Sequence, residues 1–87
     1  MNEYTVEVIV EYKPTASDPA GETIERDLMH KNGYSMVSNV RTGNYMRMKI
    51  KAKSPDEARN IAERLCNELR IFNPVAHKLT IRVGDQN

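Results

Sequence analysis

Residues 4–12 alternate strictly, with Tyr4, Val6, Val8 and Val10 on one face and Thr5, Glu7, Ile9 and Glu11 on the other. Period two with β-branched residues predicts a strand that buries one face. Lys13-Pro14 ends it, because proline brings no N–H to the ladder. Residues 45–53 alternate again, with Met46, Met48, Ile50 and Ala52 inward and Arg47, Lys49, Lys51 and Lys53 outward. A last strand places Leu79, Ile81 and Val83 on one side, and 84–87 reads as a frayed tail. Between the first two, 36–42 predicts a weaker strand. Its Val37 and Val40 fall out of phase, as in a bulged or twisted edge strand. Gly43-Asn44 then reads as a tight turn.

Two segments carry the helical period instead. Asp18-Pro19 has the form of an N-cap followed by proline at the first helical position. Ala20, Ile24 and Leu28 follow one turn apart with Met29 beside them, and Gly33 supplies a left-handed stop. Glu22, Glu25, Arg26 and Lys31 fall on the outer side. Ser54-Pro55-Asp56-Glu57 is a capping-box signal. Behind it Ala58, Ile61, Ala62, Leu65 and Leu69 form one stripe, ending near Arg70 before Asn73-Pro74. The order strand, helix, strand, strand, helix, strand predicts an α+β fold. It is the ferredoxin-like βαββαβ sandwich, a four-stranded antiparallel sheet of order 4-1-3-2 with two helices on one face.

The 87 residues suit one domain, 1–87, whose core must be aliphatic and methionine-rich, since there is one Phe and no Trp. A core this small gains from association with another chain, which biases the reading towards an oligomer. Thirteen basic against twelve acidic residues argue against a nucleic-acid partner. An RNA-binding sheet would also need aromatic platforms, and the open face offers Tyr45 beside Glu7 and Glu11. That face sets acid against base across neighbouring strands. It reads either as a solvated surface or as a surface on which a second copy docks. The single Cys66 cannot staple the chain, and no apolar run approaches a membrane span. A cytoplasmic protein with no membrane contact is expected.

Candidate chemistry is sparse. His30 ends the first helix, where a cation suits the dipole. His77 has no Cys or His partner at ligand spacing, and Cys66 flanks an apolar stripe. No phosphate loop, nucleophile elbow or paired-acid motif occurs. No catalytic residue and no metal site is expected.

Three segments, taken in order, carry a resemblance. Tyr12-Lys13-Pro14 with Asp18-Pro19-Ala20-Gly21 joins the first strand to the first helix. Val40-Arg41-Thr42-Gly43 lies at the turn between the second and third strands, and Asn73-Pro74-Val75 follows the second helix. Together they resemble PurS, the small-subunit family of phosphoribosylformylglycinamidine synthase, over nearly the whole chain. Asn44 stands where the family typically has Lys, and Ala76-His77 where it tends to have Ile-Glu. The resemblance implies a homo-oligomer, a dimer or tetramer, that docks with a large synthetase subunit (PurL) and a glutaminase subunit (PurQ). It implies no cofactor of its own, while the complex uses ATP with Mg and glutamine, and a role in sheltering ammonia passage. Pro14, Asp18, Pro19 and Gly21, like Ser54, Pro55 and Pro74, read as turn and cap residues. Arg41, Gly43, Asn44 and Asn73 are the partner-docking candidates. Arg41 either pins a partner carboxylate or carbonyl or is a solvated charge; Asn73 either caps the second helix or presents its amide. The competing reading is a small-molecule-binding regulatory βαββαβ dimer with ligand contacts at Gly33 and Gly43.

Overall fold

The structure, a computed structural model, describes residues 1–86. Its element order is β1 (Asn2–Tyr12), a helical stretch, β2 (Gly43–Ala52), α2 (Pro55–Glu68) and β3 (His77–Gln86). The helical stretch begins as α1 (Pro19–Thr23), widens to π-helix over Ile24–Met29 and tightens to a 3-10 turn over His30–Asn32. The sheet is antiparallel with order β2-β1-β3. The alternation places Tyr4, Val6, Val8 and Val10 in the core beside Ile50 and Ala52. Over them lies the Ala58, Ala62, Cys66 stripe of α2. The core is aliphatic, as the composition requires.

The first turn of α2 follows its sequence signal. Ser54 Oγ accepts from the Glu57 N–H at 3.1 Å, and Glu57 Oε1 accepts from the Lys53 N–H at 3.1 Å. Pro55 fills the first helical position. At the other end Arg70 takes the left-handed conformation, φ 54°, and the Ile71 N–H donates to Cys66 O at 3.0 Å. That is a Schellman stop made without glycine.

Three expectations are corrected. The sheet has three strands among the described residues, not four, since 36–42 forms no strand. Its backbone groups are taken by side chains of the helical stretch. His30 Nε2 lies 2.8 Å from Val37 O, Glu25 Oε1 accepts from the Val40 N–H at 3.0 Å, and Asp18 accepts from the Thr42 N–H. Asn39 is left-handed at φ 57°, which also interrupts an extended run. Second, Gly43-Asn44 is no turn: both lie in β2, opposite Glu11 and Val10. Third, 84–86 belong to β3, with Gln86 opposite Tyr4, so the expected tail is a strand end. Asn87 lies outside the described residues.

The shape follows from these corrections. The Cα radius of gyration is 16.5 Å and the extents are 52 × 27 × 15 Å. A compact chain of this length would have a radius near 12 Å. The excess is residues 19–42, an arm that runs out as helix, turns at Gly33 and returns extended. Among the described residues, the helix of the arm packs on neither the sheet nor α2. Its far end closes like that of α2, with the Tyr34 N–H on Met29 O at 3.0 Å and the Gly33 N–H on His30 O at 3.2 Å. Gly33 has φ 94°, the left-handed stop read from the sequence.

Candidate functional site

The residues of the first two matching segments meet where the arm joins the sheet. Asp18 is completely buried. It caps α1 by accepting from the Gly21 N–H at 3.0 Å, and it reaches across to the return segment. There it accepts from the Thr42 N–H, and from Thr42 Oγ1 at 3.0 Å on each carboxylate oxygen. The Thr42 N–H holds the Asp18 carboxyl below the usual carboxylate range, against the opposing effect of burial. The Gly21 N–H, the Thr42 hydroxyl and the nearby Arg41 charge act in the same direction as the Thr42 N–H. Gly21 is required here: a Cβ on it would stand 2.2 Å from Val40 O. One buried carboxylate thus closes both ends of the arm.

Arg41 completes the latch. One of its amino nitrogens donates to Lys13 O at 2.8 Å and to Ala16 O at 2.5 Å, tying the arm to the loop after β1. Its Nε is buried with no hydrogen-bond partner among the described residues. Arg41 also lines a cleft of about 230 Å³ with Glu11, Tyr12, Pro14, Asn39 and Lys78. Neither sequence reading of Arg41 anticipated an internal clamp on two carbonyls. Glu25 and Thr42 were missed as well. Glu25 read as an outer charge, and Thr42 carried no signal beyond its place in Val40-Arg41-Thr42-Gly43.

Asn73 and Pro74 lie at a second place, beyond the end of α2. Asn73 Oδ1 accepts from the Val75 N–H at 3.0 Å, closing a turn of its own rather than capping α2. The Asn73 N–H donates to His77 Nδ1 at 3.0 Å, so that nitrogen carries no proton. The His77 ring also meets Tyr12 edge-on at 5.0 Å. The Lys13 N–H donates to Ala76 O at 2.9 Å and Lys13 Nζ to Pro74 O at 2.6 Å, so this loop is tied to the one after β1. A shallow depression of about 520 Å³ opens here, lined by Asn67, Arg70, Phe72, Asn73, Pro74 and His77 among others. Gly43 and Asn44 sit at the start of β2, and a Cβ on Gly43 would stand 2.5 Å from Val10 O. The two glycines of the ligand-sensor reading are separated, Gly33 at the outer turn of the arm and Gly43 at its root.

On the open sheet face acid stands against base as the alternation predicts. Glu7 lies opposite Arg47 and Arg82, Glu11 opposite Lys78, and Ile9 opposite Tyr45 and Thr80. Tyr45 donates its hydroxyl to Glu7 at 2.6 Å, which pushes the phenol above its usual range. Cys66 is buried in the core, and burial pushes its thiol up. Among the described residues no group of three or more His, Cys, Asp or Glu could hold a metal ion. No helix among them is long and apolar enough to cross a membrane.

Residues 5–85 match the family model PurS, phosphoribosylformylglycinamidine (FGAM) synthase. A phosphoribosylformylglycinamidine synthase subunit PurS from Thermotoga maritima is 34% identical over 73 residues, covering 84% of this chain and 87% of its own. The structure of PurLQS from the same organism contains a similar chain: TM-score 0.84, 31% identity, 97% of this chain and 100% of that one. Methanocaldococcus jannaschii PurS, one of the subunits of formylglycinamide ribonucleotide amidotransferase in the purine biosynthetic pathway, superposes with TM-score 0.81 at 29% identity. That match covers 94% of this chain and 96% of the other. The three turn segments and the fold around them thus have one source: this chain belongs to the PurS family of phosphoribosylformylglycinamidine synthase.

Proposed function

We propose that this chain is a non-catalytic assembly subunit of phosphoribosylformylglycinamidine synthase in de novo purine synthesis. It bridges the ATP-dependent synthetase subunit (PurL) and the glutaminase subunit (PurQ) in the cytoplasm. The observation that carries this reading is the fit of 97% of the chain to a PurLQS structure. The side-chain chemistry supports it. Asp18, Arg41, His30 and His77 are spent on holding loops, and Cys66 is a core side chain. ATP with Mg and glutamine belong to the partner subunits in this reading, and the subunit acts as a dimer or tetramer that shelters ammonia between them. Arg41, Gly43, Asn44 and Asn73 contribute to docking, Arg41 and Asn73 through the loops they hold and Gly43 and Asn44 at the start of β2.

Reconstitution tests it. Glutamine-dependent amidine formation by the synthetase and glutaminase from the same source is measured with and without this chain. Activity that depends on the chain is expected; equal activity in its absence overturns the assignment.

A further inference from the structure

Around the arm most polar side chains are committed: Asp18 to Gly21 and Thr42, Glu25 to Val40, His77 to Asn73. The cleft of about 230 Å³ at the root of the arm is lined differently. The Lys13 N–H on Ala76 O at 2.9 Å and Arg41 on Lys13 O at 2.8 Å gather the end of β1, the start of β3 and the return segment around it. Glu11 and Lys78 stand opposite each other in the sheet, yet among the described residues no ion pair joins them. Arg41 spends one amino nitrogen on two carbonyls and has no described carboxylate within ion-pair distance. The Asn39 side chain and the Tyr12 hydroxyl make no hydrogen bond to a described residue, and the Tyr12 ring meets only His77 edge-on. Asn39 holds its place in the left-handed conformation, φ 57°, which asparagine tolerates. Two cations, one carboxylate, an amide and a phenol hydroxyl thus share one cleft with hydrogen-bonding capacity unused.

We propose that this cleft binds a free α-amino acid with a polar side chain, its carboxylate held by Arg41 and Lys78 and its ammonium by Glu11. Asn39 and the Tyr12 hydroxyl are the groups left for the ligand's side chain. The mixture of signs selects this class. A simple carboxylate or phosphate would place a like charge beside Glu11, and a simple amine would face Arg41 and Lys78. A zwitterion meets both signs at once. A peptide segment carries neither charge internally and only one at a chain end. Asp18 does not change the balance at the cleft, since it is completely buried, is taken by Gly21 and Thr42 and does not line it. Size points the same way. Pockets for drug-sized ligands begin at roughly 300 Å³, so this one is small for a nucleotide and suited to an amino acid. Because its lining comes from β1, β3 and the return segment, a bound amino acid would tie the root of the arm to both strand ends. The proposal goes beyond the assembly role and does not rest on it.

The test uses the full chain, isotope-labelled for amide NMR, at low and constant ionic strength. It is titrated in turn with L-glutamine, L-asparagine, L-glutamate and L-aspartate, and with acetate and methylamine as the two halves of the ligand. Saturable shifts centred on the amides of Glu11, Tyr12, Asn39, Arg41 and Lys78 are expected with at least one of the amino acids. Acetate and methylamine should give none that saturate over the same range. Exchange of the Val40 and Thr42 amides should slow in the bound state. Glu11→Gln and Lys78→Gln alter side chains that hold no described partner, so the fold is kept and the spectrum away from the cleft serves as its check. Each should weaken binding about tenfold or more. No saturable shift with any of the four amino acids overturns the proposal, and so do shifts centred elsewhere. Acetate binding as tightly as the amino acids would give the cleft to a simple anion and overturn it as well, as would affinity unchanged in either variant. This failure is distinct from that of the assembly role, which the omission experiment reads.

Discussion

Replacing Gly21 by alanine tests the latch, because two physical arguments give opposite signs. By helix propensity alone Gly21→Ala should stabilise α1 by about 1 kcal/mol. The structure predicts the reverse. The new Cβ would stand 2.2 Å from Val40 O and 2.9 Å from Asp18 Oδ2. Reaching ordinary contact with the Val40 carbonyl requires the return segment to move by more than about 1 Å. That stretches the 3.0 Å bond from the Val40 N–H to Glu25 beyond hydrogen-bonding range. Overpacking against backbone costs about 1–3 kcal/mol, and the lost bond to a charged acceptor adds about 1.5 kcal/mol. After the propensity gain, a net loss of about 2 kcal/mol remains. Because, among the described residues, the helix of the arm touches neither the sheet nor α2, the loss should appear as local opening. Amide hydrogen exchange is the assay. The Val40 and Thr42 amides should exchange roughly 30-fold faster, while the Val6 and Val8 amides of β1 keep their protection. Unchanged or slower exchange at Val40 and Thr42 would refute the close approach of the two arm segments.

Other expectations follow from the same geometry. Arg41→Ala removes two bonds to carbonyls and should lower stability by about 2 kcal/mol in urea unfolding at constant slope. Arg41→Lys should restore only part of it, since both bonds come from one nitrogen and an ammonium can donate twice, but from a shorter side chain. Asp18 has a folded value below its unfolded one, so its contribution is complete above about pH 4 and is lost as pH falls through the folded value. The Thr42 amide resonance should report that acid step, and Asp18→Asn should abolish it. Cys66 should resist thiol reagents in the native state and react on unfolding; rapid native labelling would mean that α2 is not seated on the sheet. Ser54→Ala should cost about 1 kcal/mol, read by the same urea titration.

The three long strands and α2 were legible because one requirement dominates each of them. Val6, Val8 and Val10 must face a core, and a one-residue slip would put Glu7 and Glu11 there instead. Ser54, Pro55 and Glu57 satisfy the first turn of α2 from within four residues of sequence. The failures share a different cause. Whether 36–42 becomes an edge strand depends on who takes its N–H and C=O groups, and the competitors lie far off in sequence: Glu25 for Val40, His30 for Val37, Asp18 for Thr42. Nothing in the period of that segment records such a competition. The same holds for Gly43-Asn44, whose composition says turn while the register of β1 continues past them.

The site was legible only as a set of turn residues, and the reason is instructive for the arm. Ala20, Ile24 and Leu28 have the spacing of a core-facing stripe, and spacing states that a stripe will be buried without stating in which chain. The path of the arm after Pro14 is set by Asp18 on Thr42 and by Arg41 on the Lys13 and Ala16 carbonyls. These contacts span 24 to 28 residues and involve ordinary polar side chains. A change in the latch should therefore loosen the arm before it alters the sheet. Arg41→Ala offers the comparison, with its global unfolding in urea set against amide exchange at Val40 and Thr42. If the latch only stabilises the fold as a whole, the two change in step. If it holds the arm, exchange there rises under conditions where the secondary structure of the sheet is still intact.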